Sequence, residues 1–448
     1  MKKKICIIGL GYIGLPTAAM FATHGHKIVG VDINKKVVDA LNNGKITIYE
    51  PYLDIMVQAA VTSGNLVGKT VPEEADAFII AVPTPITPEK TADMSFVKSA
   101  AEAIVPYLRQ GNIVVLESTS PPGTVKNLLV PILERSGLKA GEDLLIAHCP
   151  ERVLPGKILI ELVENPRIIG GVNKKSAEAV KELYRTFVKG EIYLTDATTA
   201  EMCKLMENTY RDVNIALANE LALLCEKIGI NAWDVIQLSN KHPRVNIHQP
   251  GPGVGGHCIA VDPWFIVETN PETAKIIKLG RQINDNMPFN VFKRATDILS
   301  GQCHECINVH KNVSENDNTV SEKIKKVAIL GITYKPNIDD TRESPIIELI
   351  KLFEKDGKYQ VSVYDPHVSG YNHNGFSIDM SKDIYSAVEG SDLVILAVNH
   401  DIFSKVDFEL LYKKMASPNI LDTRNFWDRK TLGKIGFNYY LLGDGSNL

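Results

Sequence analysis

Residues Lys4 to Asp32 confine this chain to one class of architecture. Lys4-Ile-Cys-Ile-Ile8 is apolar enough for a buried parallel strand. Gly9-Leu-Gly-Tyr-Ile-Gly14 follows, then a helical pattern through Thr17-Ala-Ala-Met-Phe-Ala22. A second apolar run, Lys27-Ile-Val-Gly-Val31, ends in Asp32. Strand, glycine turn, helix, strand and acid, in that order, describe a dinucleotide-binding βαβ unit. Gly9 permits the tight turn, Gly11 lets a pyrophosphate approach the backbone, with Tyr12 and Ile13 beside it, and Gly14 lets helix and strand pack closely. The helix N-terminus offers unpaired N–H groups and the positive end of its dipole to the phosphates. A carboxylate at Asp32 would accept both hydroxyls of an adenosine ribose and repel a 2′-phosphate, so the expected cofactor is NAD rather than NADP.

More βα units follow. Ala77-Phe-Ile-Ile-Ala-Val82 runs into Pro83-Thr84-Pro85, and Asn112-Ile-Val-Val-Leu116 into Glu117-Ser118-Thr119. Ligands of such sheets sit beyond the carboxyl ends of the strands, which makes Thr84 and Thr119 candidate cofactor contacts. Thr at a strand end is equally an ordinary turn residue. From Thr199 to Leu238 the pattern is helical, with Met202, Leu205, Met206, Val213, Leu217, Leu221 and Leu224 at spacings near three and four. It predicts a long spine helix whose stripe serves either as core or as a subunit interface.

After a polar stretch, Asn312 to Thr319, the chain starts again. Lys323-Ile-Lys-Lys-Val-Ala-Ile-Leu330 mirrors the first strand, Val361-Ser-Val-Tyr-Asp365 the second, and Asp392-Leu-Val-Ile-Leu-Ala-Val398 the run at Ala77. Gly331-Ile-Thr-Tyr-Lys-Pro336 stands where the glycine turn stood, with two glycines lost and Lys335 gained. A lysine in such a turn pairs with a phosphate rather than with a whole dinucleotide. The fold class is therefore α/β: two Rossmann-like, doubly wound domains joined by a central helical domain. The expected division is 1–198, NAD-binding; 199–300, helical, carrying a cysteine loop and a dimerisation surface; 301–322, linker; and 323–448, binding a second nucleotide-like ligand.

Bulk properties exclude other classes. The chain has 448 residues, 44% hydrophobic and 23% charged, with a net charge of −4. That charge offers no field for nucleic acid or an anionic membrane, and no apolar run has membrane-spanning length. Lys2-Lys-Lys4 leads straight into a strand and is no signal peptide. Seven cysteines in so long a chain do not make a disulfide framework, so a reducing cytoplasm is expected. Cys6, Cys203 and Cys225 read as core. Cys303-His-Glu-Cys306 with His310 lacks a second paired motif, and a metal site needs about four ligands, so it reads as linker surface and no metal is expected.

One cysteine is different. Pro250-Gly-Pro-Gly-Val-Gly-Gly-His-Cys-Ile-Ala-Val-Asp262 places Cys258 in a run with four glycines and two prolines, which encodes one particular loop shape. A loop built around a lone thiol points to a nucleophile; an arbitrary cysteine would merely fill space.

Taken together, GLGYIGLP, AVPTP, ESTSPPGT, CPERVLPG, TAEMCKLMENTYRDVNIA, NKHPRVNIHQPGPGVGGHCIAVDPW and YKPNIDDTRESP resemble the UDP-glucose/GDP-mannose dehydrogenase family along nearly the whole chain. The resemblance implies oxidation of a sugar's primary alcohol to a carboxylate with two NAD per turnover. Cys258 stands at the family's nucleophile, Lys204 at its catalytic lysine, and Glu151 at its acid/base glutamate. Asp262 stands at the aspartate that assists lysine and water, and Asn208 one turn beyond Lys204. The run Lys241 to Phe265 is most similar to members that oxidise UDP-N-acetyl-D-mannosamine for surface polysaccharide precursors. In those, Arg152, Val153, Arg211, His242, Arg244 and Gly255 match substrate contacts. Tyr334 and Lys335 match the C-terminal nucleotide site, Arg424 a late substrate arginine, and Arg342 a residue that reaches NAD across the domain cleft. UDP-glucose dehydrogenases tend to carry Phe-Leu after the glutamate, where this chain has Arg152-Val153. That departure implies an acetamido sugar, a UDP-N-acetylhexosamine, without fixing its configuration. The resemblance also implies a homo-oligomer, dimer or tetramer. UDP-N-acetylglucosamine and UDP-glucose stay open as substrates, as does a nucleotide binder without turnover.

Overall fold

The computed structural model describes residues 2–154, 156–301, 324–373 and 375–446. The pair Cys303 and Cys306, with His310, lies outside them. The chain forms two compact units, Met1–Glu207 with Trp264–Thr273, and Asn208–Pro263 with Ala274–Leu448.

The first unit holds an eight-stranded sheet: β1 Lys4–Ile8, β2 Lys27–Val31, β3 Leu66–Lys69, β4 Ala77–Ile80, β5 Ile113–Leu116, β6 Leu145–His148, β7 Arg167–Gly171 and β8 Ile192–Asp196. Their order is β3-β2-β1-β4-β5-β6-β7-β8, parallel except between β6 and β7. The first six strands thus follow the dinucleotide-binding order, with the direction of winding reversing between β1 and β4. Both faces are buried, one around Ile5, Ile7, Phe21 and Tyr184, the other around Cys6, Ile8, Phe78 and Val114. Burial on both faces is why these strands read as unbroken apolar runs.

The second unit holds β9 Lys325–Leu330, β10 Tyr359–Tyr364, the short hairpin β11 Gly370–His373 and β12 Phe376–Asp379, then β13 Leu393–Leu396, β14 Asn419–Asp422 and β15 Asn438–Leu441. Its main sheet has the order β10-β9-β13-β14-β15 and is parallel throughout, the other common doubly wound arrangement.

The long helix is Ala197–Ile228, and it stops short of the predicted Leu238. Gly229 takes φ +78° and ends it. Asn231 then caps a separate helix, Ala232–Ser239, its side chain accepting the Trp233 N–H at 2.8 Å. The apolar stripe, open between core and subunit interface, divides between the two environments. Leu205 is buried, but Met206, Tyr210, Leu217, Leu224 and Ile228 are 42–59% exposed. The buried face also carries Asn208, Asp212, Ala216, Asn219, Ala222 and Cys225, three polar side chains among three small ones, which a count of large apolar residues passes over. Cys6 and Cys225 are core, whereas Cys203 is only half-buried. No helix among the described residues is long and apolar enough to cross a membrane.

Candidate active site

In the first unit the glycine turn is shaped for an anion. Gly9 has φ +96°, and a Cβ there would lie 2.4 Å from the Ala81 carbonyl oxygen; one at Gly14 would lie 1.9 Å from that of Gly9. At Gly11 a Cβ would meet no protein atom within 4 Å. The space over Gly11 is therefore open, as a pyrophosphate requires. The helix Gly14–Thr23 begins without a side-chain cap and without an acid in its first turn. Its leading N–H groups and dipole are thus left to an anionic ligand. The Asp32 carboxylate accepts N–H bonds from Leu10 at 3.1 Å and Asn34 at 2.8 Å, which fixes it at the end of β2. Thr84 and Thr119 sit half-buried beyond the ends of β4 and β5, and Tyr12 is half-exposed on the turn. These residues fit a dinucleotide.

Beyond β6 the chain turns at Cys149-Pro150-Glu151. Glu151 pairs with Arg167 at 2.7 Å, both side chains nearly fully buried. The guanidinium also approaches the Cys149 Sγ at 3.7 Å and lies over the ring of Tyr184, 4.7 Å from its centroid. Tyr184 donates its hydroxyl proton to Glu117, itself buried. Burial, and then the Glu151 charge, push the Glu117 carboxyl up to about 7. His148 is fully buried with no hydrogen-bond partner at either ring nitrogen; desolvation, and more weakly the charge of Lys204, hold it down to about 3. Lys204 is half-buried on the long helix. The Arg152 side chain turns towards Glu207, pairing at 2.6 Å, and donates to the Pro166 carbonyl at 3.1 Å, while Val153 packs against the core of the sheet.

In the second unit every glycine of the thiol loop is forced by a close neighbour. A Cβ at Gly251 would stand 2.5 Å from the Arg424 guanidinium, and one at Gly253 2.7 Å from Pro345. At Gly255 it would meet the Glu343 carbonyl oxygen at 2.4 Å, and at Gly256 the Tyr334 ring at 2.9 Å. Gly256 also donates to the Arg342 carbonyl at 3.1 Å. Beneath the loop, the Gly251 N–H bonds to Asn219 at 2.8 Å, Asn219 to Asn284 at 2.9 Å, and Asn284 to Asp212 at 2.8 Å; Arg281 neutralises Asp212. Cys258 emerges from this support exposed. Its carbonyl accepts the N–H groups of Val261 and Asp262, so the chain turns at once into the helix Asp262–Thr269. Asp262 is buried and accepts the Asn208 amide at 2.6 Å, so these two predicted site residues are in direct contact.

The second unit also holds a cavity of about 890 Å³ lined by Arg211, Trp233, Asn240, Lys241, Gln249 and Arg424, among others. That volume suits a ligand of drug size or larger, and its three cations, set against the one carboxylate of Asp234, suit an anionic one. Burial lowers the Arg424 guanidinium to about 10, yet leaves it charged at neutral pH. Among the predicted contacts, Arg211 and Arg424 line the cavity. His242 and Arg244 do not; they form an exposed turn in which the Arg244 N–H bonds to His242 at 3.3 Å. Lys335 is half-buried in the turn after β9, its carbonyl accepting the Thr333 hydroxyl at 2.9 Å. Arg342 folds back on Asp340, and the helix Pro345–Asp356 is capped by Ser344.

Residues 3–188 match the NAD binding domain of the UDP-glucose/GDP-mannose dehydrogenase family, residues 198–286 its central domain and residues 328–429 its UDP binding domain. The chain belongs to this family. A Methanococcus maripaludis protein named UDP-N-acetyl-D-mannosamine dehydrogenase is 48% identical over 99% of this chain and 98% of its own length. A Ralstonia solanacearum protein named NDP-N-acetyl-D-galactosaminuronic acid dehydrogenase is 45% identical over 96% and 97%. The solved structure of a UDP-D-ManNAc dehydrogenase from Pyrococcus horikoshii superposes with a TM-score of 0.87 at 39% identity, covering 99% of this chain and 100% of that one.

As a family member the chain is an NAD-dependent dehydrogenase. Several residues around its candidate site went unnoticed in the sequence. Glu117, Arg167 and Tyr184 are scattered over 68 positions, and only the packing of β5, β7 and a helix brings them to Glu151. Asn219 and Asn284 were hidden for the same reason. Lys241 and Trp233 carried a local signal, since Lys241 opens the run Lys241 to Phe265 and Trp233 stands shortly before it.

Proposed function

We propose that this dehydrogenase oxidises UDP-N-acetyl-D-mannosamine at its primary alcohol to the uronate, through a covalent adduct on Cys258. The observation that carries the reading is the exposed thiol on a loop whose four glycines are each dictated by a neighbour, beside the Asn208–Asp262 pair. Substrate choice draws support from the names of relatives at 48% identity and from Arg152-Val153 after Glu151.

An alcohol oxidised twice passes through an aldehyde, which would escape or hydrate unless trapped. Bound NAD supplies the hydride acceptor for each of the two oxidations. Lys204, or a water held by Asp262, takes the hydroxyl proton in the first. The Cys258 thiolate adds to the aldehyde carbon, giving a thiohemiacetal whose oxyanion Lys204 and Asn208 stabilise, an effect worth about 3 kcal/mol per donor. The second oxidation leaves a thioester, and water deprotonated by Glu151 hydrolyses it to acid and free thiol. Arg211, Lys241 and Arg424 hold the diphosphate. His242, Arg244, Tyr334 and Lys335 complete substrate recognition, and Arg342 turns from Asp340 to the cofactor.

The test is a panel of UDP-sugars with NAD, following NADH and product mass. Two NADH per N-acetylmannosamine derivative, with slower turnover of the glucose and N-acetylglucosamine derivatives, is the expected result. One NADH per sugar would exclude acid as product, and none with any sugar would leave a binding protein. Cys258→Ser should bind substrate and form no acid; normal turnover there removes the covalent step. For Lys204→Ala, near-normal turnover removes its oxyanion role. The exposed stripe of Met206, Tyr210, Leu217, Leu224 and Ile228 supports a homodimer, which Leu217→Glu should dissociate in light scattering. A reactive exposed thiol also suits the reducing cytoplasm.

A further inference from the structure

The pocket behind Glu151 contains two carboxyls and one cation. Glu151 takes the Arg167 guanidinium directly at 2.7 Å. Glu117, at the end of β5, has no such contact; one oxygen accepts the Tyr184 hydroxyl, and Thr17 approaches the carboxyl from the first helix. Four elements packed around it contribute groups: Tyr184 from the helix Lys174–Tyr184, Arg167 from β7, Cys149 and Glu151 from the end of β6, and Thr17 from the first helix. Arg167 is itself held by the rings of Tyr184 and Phe187, at 4.7 and 5.8 Å. Two carboxylates cannot both ionise cheaply in a dry pocket with one positive charge. The one in direct contact with the cation stays ionised and the other keeps its proton.

We propose that Glu117 is a positioning residue for Glu151: it stores a proton in the pocket, so that Arg167 is left to orient Glu151 alone. This rests on the reading of Glu151 as the base of thioester hydrolysis. When Glu117 ionises, a second anion competes for the guanidinium, Arg167 is drawn towards β5, and Glu151 loses its aim. Burial raises Glu117 to about 7, within the working range of pH.

Glu117→Gln fixes the neutral state at nearly constant shape. Wild-type kcat should fall about threefold to tenfold between pH 7 and 9, and Glu117→Gln should hold within about twofold, with KM for sugar and NAD unchanged in both. Tyr184→Phe removes a donor to the Glu117 anion, so its fall should move to higher pH; it serves as the second variant should Glu117→Gln not fold. Difference infrared spectra of the whole enzyme across pH 7 should show a carboxylic acid carbonyl band that Glu117→Gln abolishes. Superimposable pH profiles for wild type and both variants, or an infrared band unaltered in Glu117→Gln, would overturn the proposal. Glu151→Gln distinguishes the two readings: full turnover there sinks the role of Glu151, while the infrared band tests the stored proton regardless of turnover.

Discussion

The two doubly wound sheets begin alike and then diverge. Gly9 and Gly331 take φ +96° and +89°, and a Cβ on either would strike the neighbouring strand end, at Ala81 or Val398. Asp32 and Asp365 both end the second strand of their sheet and both accept N–H bonds from the turn, from Leu10 and from Ile332. After that, the first turn stays short and bare, and its helix starts at Gly14 without a cap. The second runs on until Ser344 caps a helix at Pro345. Where Gly11 leaves open space, Thr333 is fully buried, near His400. The longer turn has become a wall: Tyr334, Glu343 and Pro345 are the atoms against which the thiol loop is moulded. One scaffold offers its backbone to a cofactor, while the other spends the same position on shaping a neighbouring loop. Asn337, Glu343 and Asn425 all take positive φ in this second region, strain of the kind that collects at functional sites.

The largest effect should come from disturbing the wall. Gly256→Ala puts a Cβ against the Tyr334 ring at a φ of +86°, so the loop must shift. A displacement of about 1 Å at a reacting group costs about a hundredfold in rate. Acid formation should fall by that order, while NAD affinity measured by calorimetry stays put. Turnover within twofold of wild type would show that the wall does not position the thiol.

Gly11→Ala examines the other sheet. No protein atom opposes its Cβ, so the melting temperature without cofactor should not change. The dissociation constant for NAD should rise about tenfold or more, equivalent to about 1.4 kcal/mol or above. Thr333→Ala should leave NAD binding alone. If the two variants affect NAD equally, the division of labour between the turns is wrong. A smaller change separates the paired acids. Asp32→Asn should narrow the preference for NAD over NADP by about threefold to tenfold, through lost repulsion of the 2′-phosphate, and Asp365→Asn should leave that ratio intact.

The sequence disclosed what is local. The turn Gly9–Gly14, the acid Asp32 and the glycine-proline run before Cys258 each lie within a few residues, so their backbone requirements are written side by side. The repetition of strands in the second half was legible because parallel strands buried on both faces must be apolar throughout. The spine helix was overextended because the apolar spacing continues past Gly229, and only the left-handed conformation at that glycine breaks it. Its stripe stayed open between core and subunit interface because the buried face carries small residues and amide pairs such as Asn219–Asn284, which no hydrophobic pattern reports. Arg152 carries its role as a substrate contact from the family resemblance alone, while its ion pair with Glu207, 55 positions away, emerges only through folding.

The smallest effect concerns one fully buried histidine from each unit, His148 and His400. His400 is satisfied: its Nδ1 accepts the Asn337 N–H at 3.0 Å, so Nε2 carries the proton and points to Asp365 at 3.1 Å. His148 has neither bond, and burial lowers it from 6.5 to about 3. Between those values the unfolded chain binds a proton that the folded one refuses, so stability is lost as pH falls through that window. Glu117, beside it, has the opposite sign: the folded chain keeps a proton that the unfolded one releases between 4.5 and about 7, so stability is lost as pH rises there. His148→Leu should therefore lessen acid sensitivity in the first unit, and Glu117→Gln should lessen the loss towards neutral pH. Hydrogen exchange on the β1, β4 and β6 amides reads the first unit by itself, and β9 and β13 serve as the internal reference. Equal protection changes in both sheets would mean that the acid response is general, and that the unpartnered imidazole has no part in it.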